Sequence, residues 1–139
     1  MLSELDIYIK EVKNKPFKWG EHDCLIFSNT AWRKMYGFGW ADDWLDRYYK
    51  ETEYGIRTLR QDELKKEFGY FDFNKAVDDK LQRISYVPPK GSLVTTTKTE
   101  RWAVGKALGI SLGLKAVFVG KNGLTTFPID EIENAWVNR

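Results

Sequence analysis

The feature that most constrains the fold of this chain is a change of pattern near residue 82. Before it, apolar residues recur at helical spacing. After it, short runs rich in β-branched residues alternate with turns. Runs of helices followed by a meander of strands are typical of an α+β fold with an antiparallel sheet. We therefore predict N-terminal helices packed on a C-terminal antiparallel β-sheet.

The N-terminal part is predicted to be mostly helical. Ser3 followed by Asp6 marks the start of a first helix, which ends at Asn14-Lys15-Pro16. A second helix is expected from Asp23 to Tyr36, with Asp23 as its N-terminal cap and Gly37 at its end. The further helices are expected at Asp42 to Lys50, Glu53 to Phe68 and Asn74 to Leu81.

The C-terminal part is predicted to be a series of strands. Gly113-Leu114 forms a tight turn between two of them, and Asn122-Gly123 is a strong hairpin signal. The expected strands are Gln82 to Val87, Ser92 to Thr97, Lys106 to Leu112, Lys115 to Val119, Leu124 to Phe127 and Ala135 to Val137.

Length and charge limit the class of protein. The 139 residues fit one domain, 1–139, and 22 Lys and Arg against 20 Asp and Glu leave a net charge of only +2, which predicts no nucleic-acid partner. A single cysteine makes no internal disulfide, so a reducing compartment is favoured. Acidic Glu4 and Asp6 argue against a signal peptide, and no apolar stretch is long enough for a bilayer. We expect a soluble cytosolic domain without a membrane partner.

The single cysteine, Cys24, stands at a predicted helix start, two residues after the single histidine, His22. A helix N-terminus favours the thiolate, so this is a place for a catalytic cysteine. A cysteine hydrolase usually takes its base from elsewhere in the fold, and no second histidine exists here. The structural alternative is a buried thiol, with His22 capping the helix together with Asp23 or forming a hydrogen bond to a carbonyl. Trp19 and Gly20 are the candidate binding residues, with Gly20 also expected in a left-handed turn.

Several runs together resemble a known family. The chain is similar to the NlpC/P60 branch of the papain-like cysteine peptidases, and within it to small phage and prophage proteins of unknown function encoded among tail-assembly genes. The resemblance covers most of the chain from Pro16 onward. The matching residues are Pro16-Phe17-x-Trp19-Gly20-x-x-Asp23-Cys24, Tyr54-Gly55, Ala107-Leu108-Gly109-Ile110-x-Leu112-Gly113, Gly123-Leu124-x-x-x-Pro128 and Ala135-Trp136-Val137.

The resemblance implies a papain-like fold in which the Cys-bearing helix packs on the sheet. In active members the matching strand opens with the catalytic histidine, as His-x-Gly-Ile, and here Ala107 stands at that position. The turn that usually reads Pro-Gly-Asp is Pro89-Lys90-Gly91-Ser92. The resemblance thus implies a phage or prophage accessory protein with degenerate catalysis. Such a protein acts by contacts with phage structural or tail proteins, in the host bacterial cytoplasm or on the virion.

Two alternatives remain open from the sequence. In the first, an active hydrolase cleaves peptidoglycan stem peptides with Cys24 as nucleophile, His22 as base and Asp23 orienting the pair. In the second, the protein is a small-molecule-binding module whose ligand occupies the groove that serves catalysis in the active members of the family. No cofactor or metal is expected, because the spacing of Asp42, Asp43 and Asp46 matches no metal-binding loop. A groove filled by side chains such as Phe17, Trp102 or Leu108 would favour the degenerate protein.

Aromatic residues suggest contacts with partners. Seven crowd into nineteen positions, and a second patch, Tyr70-Phe71-x-Phe73, is expected in a loop. Tyrosine and tryptophan are over-represented at protein interfaces. The seven are Tyr36, Phe38, Trp40, Trp44, Tyr48, Tyr49 and Tyr54.

Overall fold

The computed structural model describes residues 3–69, 72–99 and 106–139, and within them the chain combines α-helices with antiparallel β-strands. No helix in these ranges has the length and apolar character needed to cross a membrane. The helices are α1 (Glu4–Val12), α2 (Cys24–Tyr36), α3 (Gln61–Phe68) and α4 (Phe73–Asp78), with 3₁₀ turns at Asp42–Trp44 and Ile129–Glu131. The strands are β1 (Tyr49–Thr52), β2 (Gly55–Thr58), β3 (Gln82–Ile84), β4 (Leu93–Thr96), β5 (Ala107–Ser111), β6 (Lys115–Gly120), β7 (Gly123–Pro128) and β8 (Asn134–Val137).

The described strands form two antiparallel sheets. A large sheet has the order β3-β8-β4-β5-β6-β7, and β1 and β2 form a separate hairpin. Every neighbouring pair is antiparallel. The predicted α+β class and the six predicted strand positions of the large sheet are therefore confirmed.

The large sheet has two apolar faces. Side chains alternate between faces along a strand, and the register separates them into two clusters. On what we call the helix face, Leu108, Ile110 and Trp136 pack with α1 and α2. On the opposite side, which we call the outer face, Val94, Ala107, Ala116, Phe118 and Ala135 form a smaller cluster.

The first two helices begin and end where the sequence predicts. The Ser3 hydroxyl accepts from the Asp6 N–H, and the Asp6 carboxylate accepts from the Ser3 N–H, which is a capping box. Asp23 caps α2, and Gly37 ends it in a left-handed conformation with φ of 84°. These helix ends depend on hydrogen bonds and backbone conformations of neighbouring residues, and for this reason the sequence predicts them.

The predicted helices over Asp42 to Lys50 and Glu53 to Phe68 are mostly wrong. Only a 3₁₀ turn forms at Asp42–Trp44, and a hairpin, β1–β2, occupies residues 49–58 before α3 begins. The Thr52 hydroxyl organises the hairpin turn, because it donates to the Gly55 carbonyl and accepts from the Tyr54 N–H. The fourth helix is also shorter than the predicted Asn74 to Leu81.

The turn between β6 and β7 lies one residue earlier than Asn122-Gly123. Gly120 pairs with Gly123, so Lys121 and Asn122 make the turn and Gly123 already belongs to β7. Its φ of 130° suits only glycine, and a Cβ here would lie 2.6 Å from the Lys13 carbonyl oxygen. The loop after α1 therefore packs directly on the start of β7.

Candidate functional site

The turn before α2 is a compact backbone loop. The main chains of Lys18 and His22 exchange two hydrogen bonds. The Lys18 N–H donates to the His22 carbonyl at 3.0 Å, and the His22 N–H donates to the Lys18 carbonyl at 2.8 Å. Gly20 takes the expected left-handed conformation, with φ of 79°. A Cβ on Gly20 would lie 3.1 Å from Ile56 Cδ1 and 3.2 Å from the Tyr49 ring. The hairpin β1–β2 therefore covers this turn at contact distance.

Asp23 ties the turn, the helix and the hairpin together. Its fully buried carboxylate accepts from the N–H groups of Gly20 and Ile26, each at 2.9 Å, and from the Tyr48 hydroxyl. Burial raises the pKa of Asp23, and these hydrogen bonds oppose the rise. Burial and the Asp23 charge together raise the pKa of Tyr48, so its proton stays in place to be donated.

Cys24 is the first residue of α2 and is buried, with 1% of its surface exposed. Burial, with the neighbouring Asp23 carboxylate as the second cause, raises the pKa of the thiol to about 12. The main-chain N–H groups of Leu108, Cys24 and Leu25 act in the opposite direction. Desolvation thus outweighs the helix N-terminus, and the thiol is protonated at neutral pH.

His22 is buried as well, with 2% exposed. Its Nε2 has no hydrogen-bond partner among the described residues, and its ring meets Phe27 edge-on at 6.2 Å between centroids. Burial, and then the Lys15 charge, lowers the pKa of the imidazole. No hydrogen bond in the described part of the chain joins the imidazole to the Cys24 thiol.

This buried imidazole predicts a pH dependence of stability. The folded-state pKa of His22 lies below its ordinary value of 6.5, so the unfolded chain takes up the proton first as the pH falls. The contribution of His22 to the free energy of unfolding should therefore be constant above pH 6.5. Below pH 6.5 the free energy of unfolding should decrease, with a slope of up to about 1.4 kcal/mol per pH unit.

Urea unfolding between pH 7.5 and 5.5 tests this, with His22→Leu as the control that lacks the imidazole. Because the pKa of Asp23 is raised, protonation of Asp23 increases the free energy of unfolding as the pH falls further, which is the opposite of the His22 effect. This contribution of Asp23 is common to both proteins and therefore cancels in the comparison. Parallel pH profiles for the wild type and the variant would contradict the prediction.

The strand register places Leu108, rather than Ala107, on the Cys24 side of the sheet. Leu108 packs in the same core cluster as Cys24, whereas Ala107 belongs to the cluster of the outer face. A side chain at position 107 therefore projects away from the thiol. The residue that the resemblance aligns with the catalytic histidine therefore lies on the face of the sheet opposite to Cys24.

Near the start of β5 lies a polar cluster, which the spacing of its residues in the sequence does not predict. Lys106 Nζ is 3.0 Å from both Asn74 Oδ1 and Asn134 Oδ1. The Thr95 hydroxyl accepts from the Asn134 N–H at 3.2 Å. These residues come from four separate parts of the chain, so only the fold brings them together.

The other predicted site residues pack the loop. Trp19 meets Phe17 edge-on at 4.7 Å, and both are partly buried against the core. Trp102 lies outside the described residues. Asp42 accepts from Asn29 and from the Gly39 N–H and pairs with Arg33. Among the described residues, no three His, Cys, Asp or Glu side chains are grouped to hold a metal ion.

The aromatic residues divide between core and surface. Trp40, Trp44 and Tyr48 are buried, whereas Tyr36, Phe38 and Tyr54 are exposed. Phe73 is buried on α4, and Tyr70 and Phe71 of the same predicted patch lie outside the described residues.

Fold and site together define an α+β domain with a covered cysteine at the N-terminus of a helix that packs on an antiparallel sheet. A family model described as "Domain of unknown function (DUF6950)" matches residues 2–138, and the chain belongs to this family. No curated protein matches the chain.

Proposed function

We propose that this protein has an NlpC/P60-type, papain-like architecture without catalysis and acts by binding other proteins, as an accessory protein of phage or prophage virion or tail assembly. The observation that carries the non-catalytic part is the burial of Cys24. The phage and tail-assembly part rests on the resemblance of the Trp-Gly-x-x-Asp-Cys run and the glycine-punctuated strand.

Three requirements of a cysteine nucleophile are opposed by the geometry. The thiolate must be populated, and burial raises the pKa of the thiol to about 12, so the thiol is protonated at pH 7. A base must reach the sulfur, and among the described residues no hydrogen bond joins the His22 imidazole to it. Substrate must approach, and hairpin β1–β2 lies over the adjoining turn at Gly20. All three favour a scaffold over a hydrolase.

The papain-like part of the proposal is supported by how α2 lies on the sheet. Cys24 opens α2, and α2 packs on β5, the strand that carries the Gly109-Ile110 part of the resemblance. An antiparallel sheet against a Cys-bearing helix is what the resemblance implies.

Alkylation of Cys24 by iodoacetamide tests the proposal, and the single cysteine makes the readout unambiguous. We expect the native protein at pH 7.5 to react at least about 10³-fold more slowly than the protein unfolded in urea, because the thiol is both buried and protonated. Mass spectrometry measures the extent of labelling, and Cys24→Ala provides the blank.

A native rate that exceeds the unfolded rate below pH 8 would overturn the proposal and favour the hydrolase with Cys24 as nucleophile and His22 as base. Release of stem peptides from purified peptidoglycan by the wild type, lost in Cys24→Ala, would have the same meaning.

A further inference from the structure

His22 is the one fully buried residue of the turn before α2. Residues 16–21 are exposed or half-buried, whereas the His22 ring lies in the interior beside Phe27. Phe17 and Trp19 pack against the core but keep part of their surface in water. We call residues 16–22 the anchored turn, since the His22 imidazole is the side chain that fixes it in the interior.

The anchored turn is closed on itself by hydrogen bonds and an ion pair. Besides the two main-chain bonds between Lys18 and His22, the Glu21 N–H donates to the Lys18 carbonyl at 3.1 Å. The side chains of Lys18 and Glu21 form an ion pair at 3.2 Å. These contacts lie within the turn, so they remain when the turn moves as one unit.

Hydrogen bonds from main-chain N–H groups attach the anchored turn to its surroundings. The Phe17 N–H donates to the Gly120 carbonyl at 3.1 Å, and the Gly20 N–H donates to the Asp23 carboxylate at 2.9 Å. Breaking these two bonds disrupts neither α2 nor a strand pair of the large sheet. Release of the turn therefore requires less free energy than unfolding of the whole domain.

The interior position suits only a neutral imidazole. A protonated ring carries an N–H on both nitrogens, and the buried Nε2 of His22 has no hydrogen-bond partner among the described residues. The edge-on Phe27 ring offers no acceptor oxygen. A buried charge without a partner is costly, so a protonated His22 favours a turn that has left the interior.

The charged groups around His22 do not compensate an imidazolium. Lys15, from the loop after α1, repels it. In the turn the Glu21 carboxylate pairs with Lys18, and the Asp23 carboxylate accepts from main-chain N–H groups. The other titratable groups of the adjoining elements stay uncharged at neutral pH because the pKa of each is raised, and they are Tyr8 of α1, Cys24 of α2, and Tyr48 and Tyr49 at the start of the hairpin.

We propose that protonation of His22 releases the anchored turn from the interior while the large sheet stays folded, and that this release exposes the Cys24 thiol. In the released turn the imidazole is in water and takes up a proton with its ordinary pKa of about 6.5. The released fraction therefore rises by up to about tenfold per pH unit below pH 6.5. This acid-sensitive switch goes beyond the proposed function, which requires neither a mobile turn nor an exposed thiol.

Labelling of Cys24 with 4,4′-dithiodipyridine measures the release, because this disulfide has a good leaving group and reacts with thiols in acid as well as at neutral pH. A peptide with the sequence of residues 21–26 gives the rate of an exposed thiol at each pH. The peptide rate divided by the protein rate is the protection of the thiol, which follows the released fraction at low reagent concentration.

We expect the protection to be constant between pH 7 and pH 8 and to fall by up to about tenfold per pH unit between pH 6.5 and pH 5.5. The far-ultraviolet circular dichroism should stay unchanged over this range. Low concentrations of urea should change the protection little, because release of a turn exposes less surface than unfolding does.

Two variants identify the imidazole as the group that titrates. In His22→Leu the side chain is uncharged at every pH, so the protection should not fall between pH 7.5 and pH 5.5. Lys15→Gln removes an exposed positive charge that helps to lower the pKa of the buried imidazole, so the protection should fall less than in the wild type. Lys65→Gln, the same change at an exposed lysine of α3, is the matched control and should behave as the wild type.

Protection that does not depend on pH in the wild type, or that falls equally in His22→Leu, would overturn the inference. A urea dependence as steep as that of global unfolding would also overturn it, because the thiol would then be exposed only when the sheet unfolds. Either result leaves the proposed function intact, since that proposal concerns the neutral protein, in which the thiol is buried.

Discussion

Replacing Asp23 by alanine is expected to lower the free energy of unfolding by about 2–4 kcal/mol. The carboxylate is fully buried and accepts from two main-chain N–H groups and from the Tyr48 hydroxyl. Alanine leaves all three donors without this acceptor in a site closed to water. Urea unfolding at pH 7 measures the loss.

Two controls separate the roles of the Asp23 carboxylate. Asp23→Asn keeps an acceptor at the position, and because burial already raises the pKa of Asp23, the loss of charge should cost less than the alanine does. Tyr48→Phe removes only the hydroxyl contact. A cost below about 1 kcal/mol for Asp23→Ala would show that this carboxylate is not the element that holds the turn on α2.

The same substitution should also change the chemistry of Cys24. With Asp23 gone, the turn and hairpin β1–β2 lose their shared attachment to the helix start, so native alkylation of the thiol should accelerate. An unchanged labelling rate in a destabilised Asp23→Ala protein would mean that the hairpin covers the thiol without help from this hydrogen-bond network.

Gly109→Val is expected to destabilise the fold by about 3 kcal/mol, from overpacking of the outer face. A Cβ on Gly109 would lie 2.4 Å from the Val117 carbonyl oxygen and 2.5 Å from the Phe118 ring. The ring can move only within a fully buried cluster, and the main chain of β6 is held by pairing on both sides. Thermal and urea unfolding measure the effect.

If the Gly109→Val protein does not fold, Gly109→Ala provides a smaller change at the same position whose free energy of unfolding can be measured. Adding Phe118→Leu to Gly109→Ala should recover part of the loss, because the smaller side chain leaves room near the new Cβ. A Gly109→Val protein as stable as the wild type would show that this close approach is not rigid.

Local signals explain the parts of the fold that the sequence predicts. The start and end of α2 follow from Asp23 and Gly37, and β7 follows from the turn before Gly123. Hairpin β1–β2 is missed because Ile56 and Leu59, three residues apart, also fit a helix. The Leu59 N–H bonds instead to the Tyr48 carbonyl, which extends the hairpin.

The candidate site is predictable only in its position. Cys24 at a helix start is visible in the sequence, but its burial depends on packing around a turn that Tyr49 and Ile56 cover. The face on which Ala107 lies depends on register, since a shift of one residue reverses every side chain of a strand. The motif shows that a strand is present without showing which residue of it meets the thiol.

The position of β8 has a consequence for how the sheet assembles. β3 and β4 are consecutive in the chain, yet β8 lies between them and pairs with both. The sheet cannot join β3 to β4 until residues 134–137 have arrived from about forty positions away along the chain. We therefore expect the large sheet to be completed late in folding, when β8 pairs with both β3 and β4.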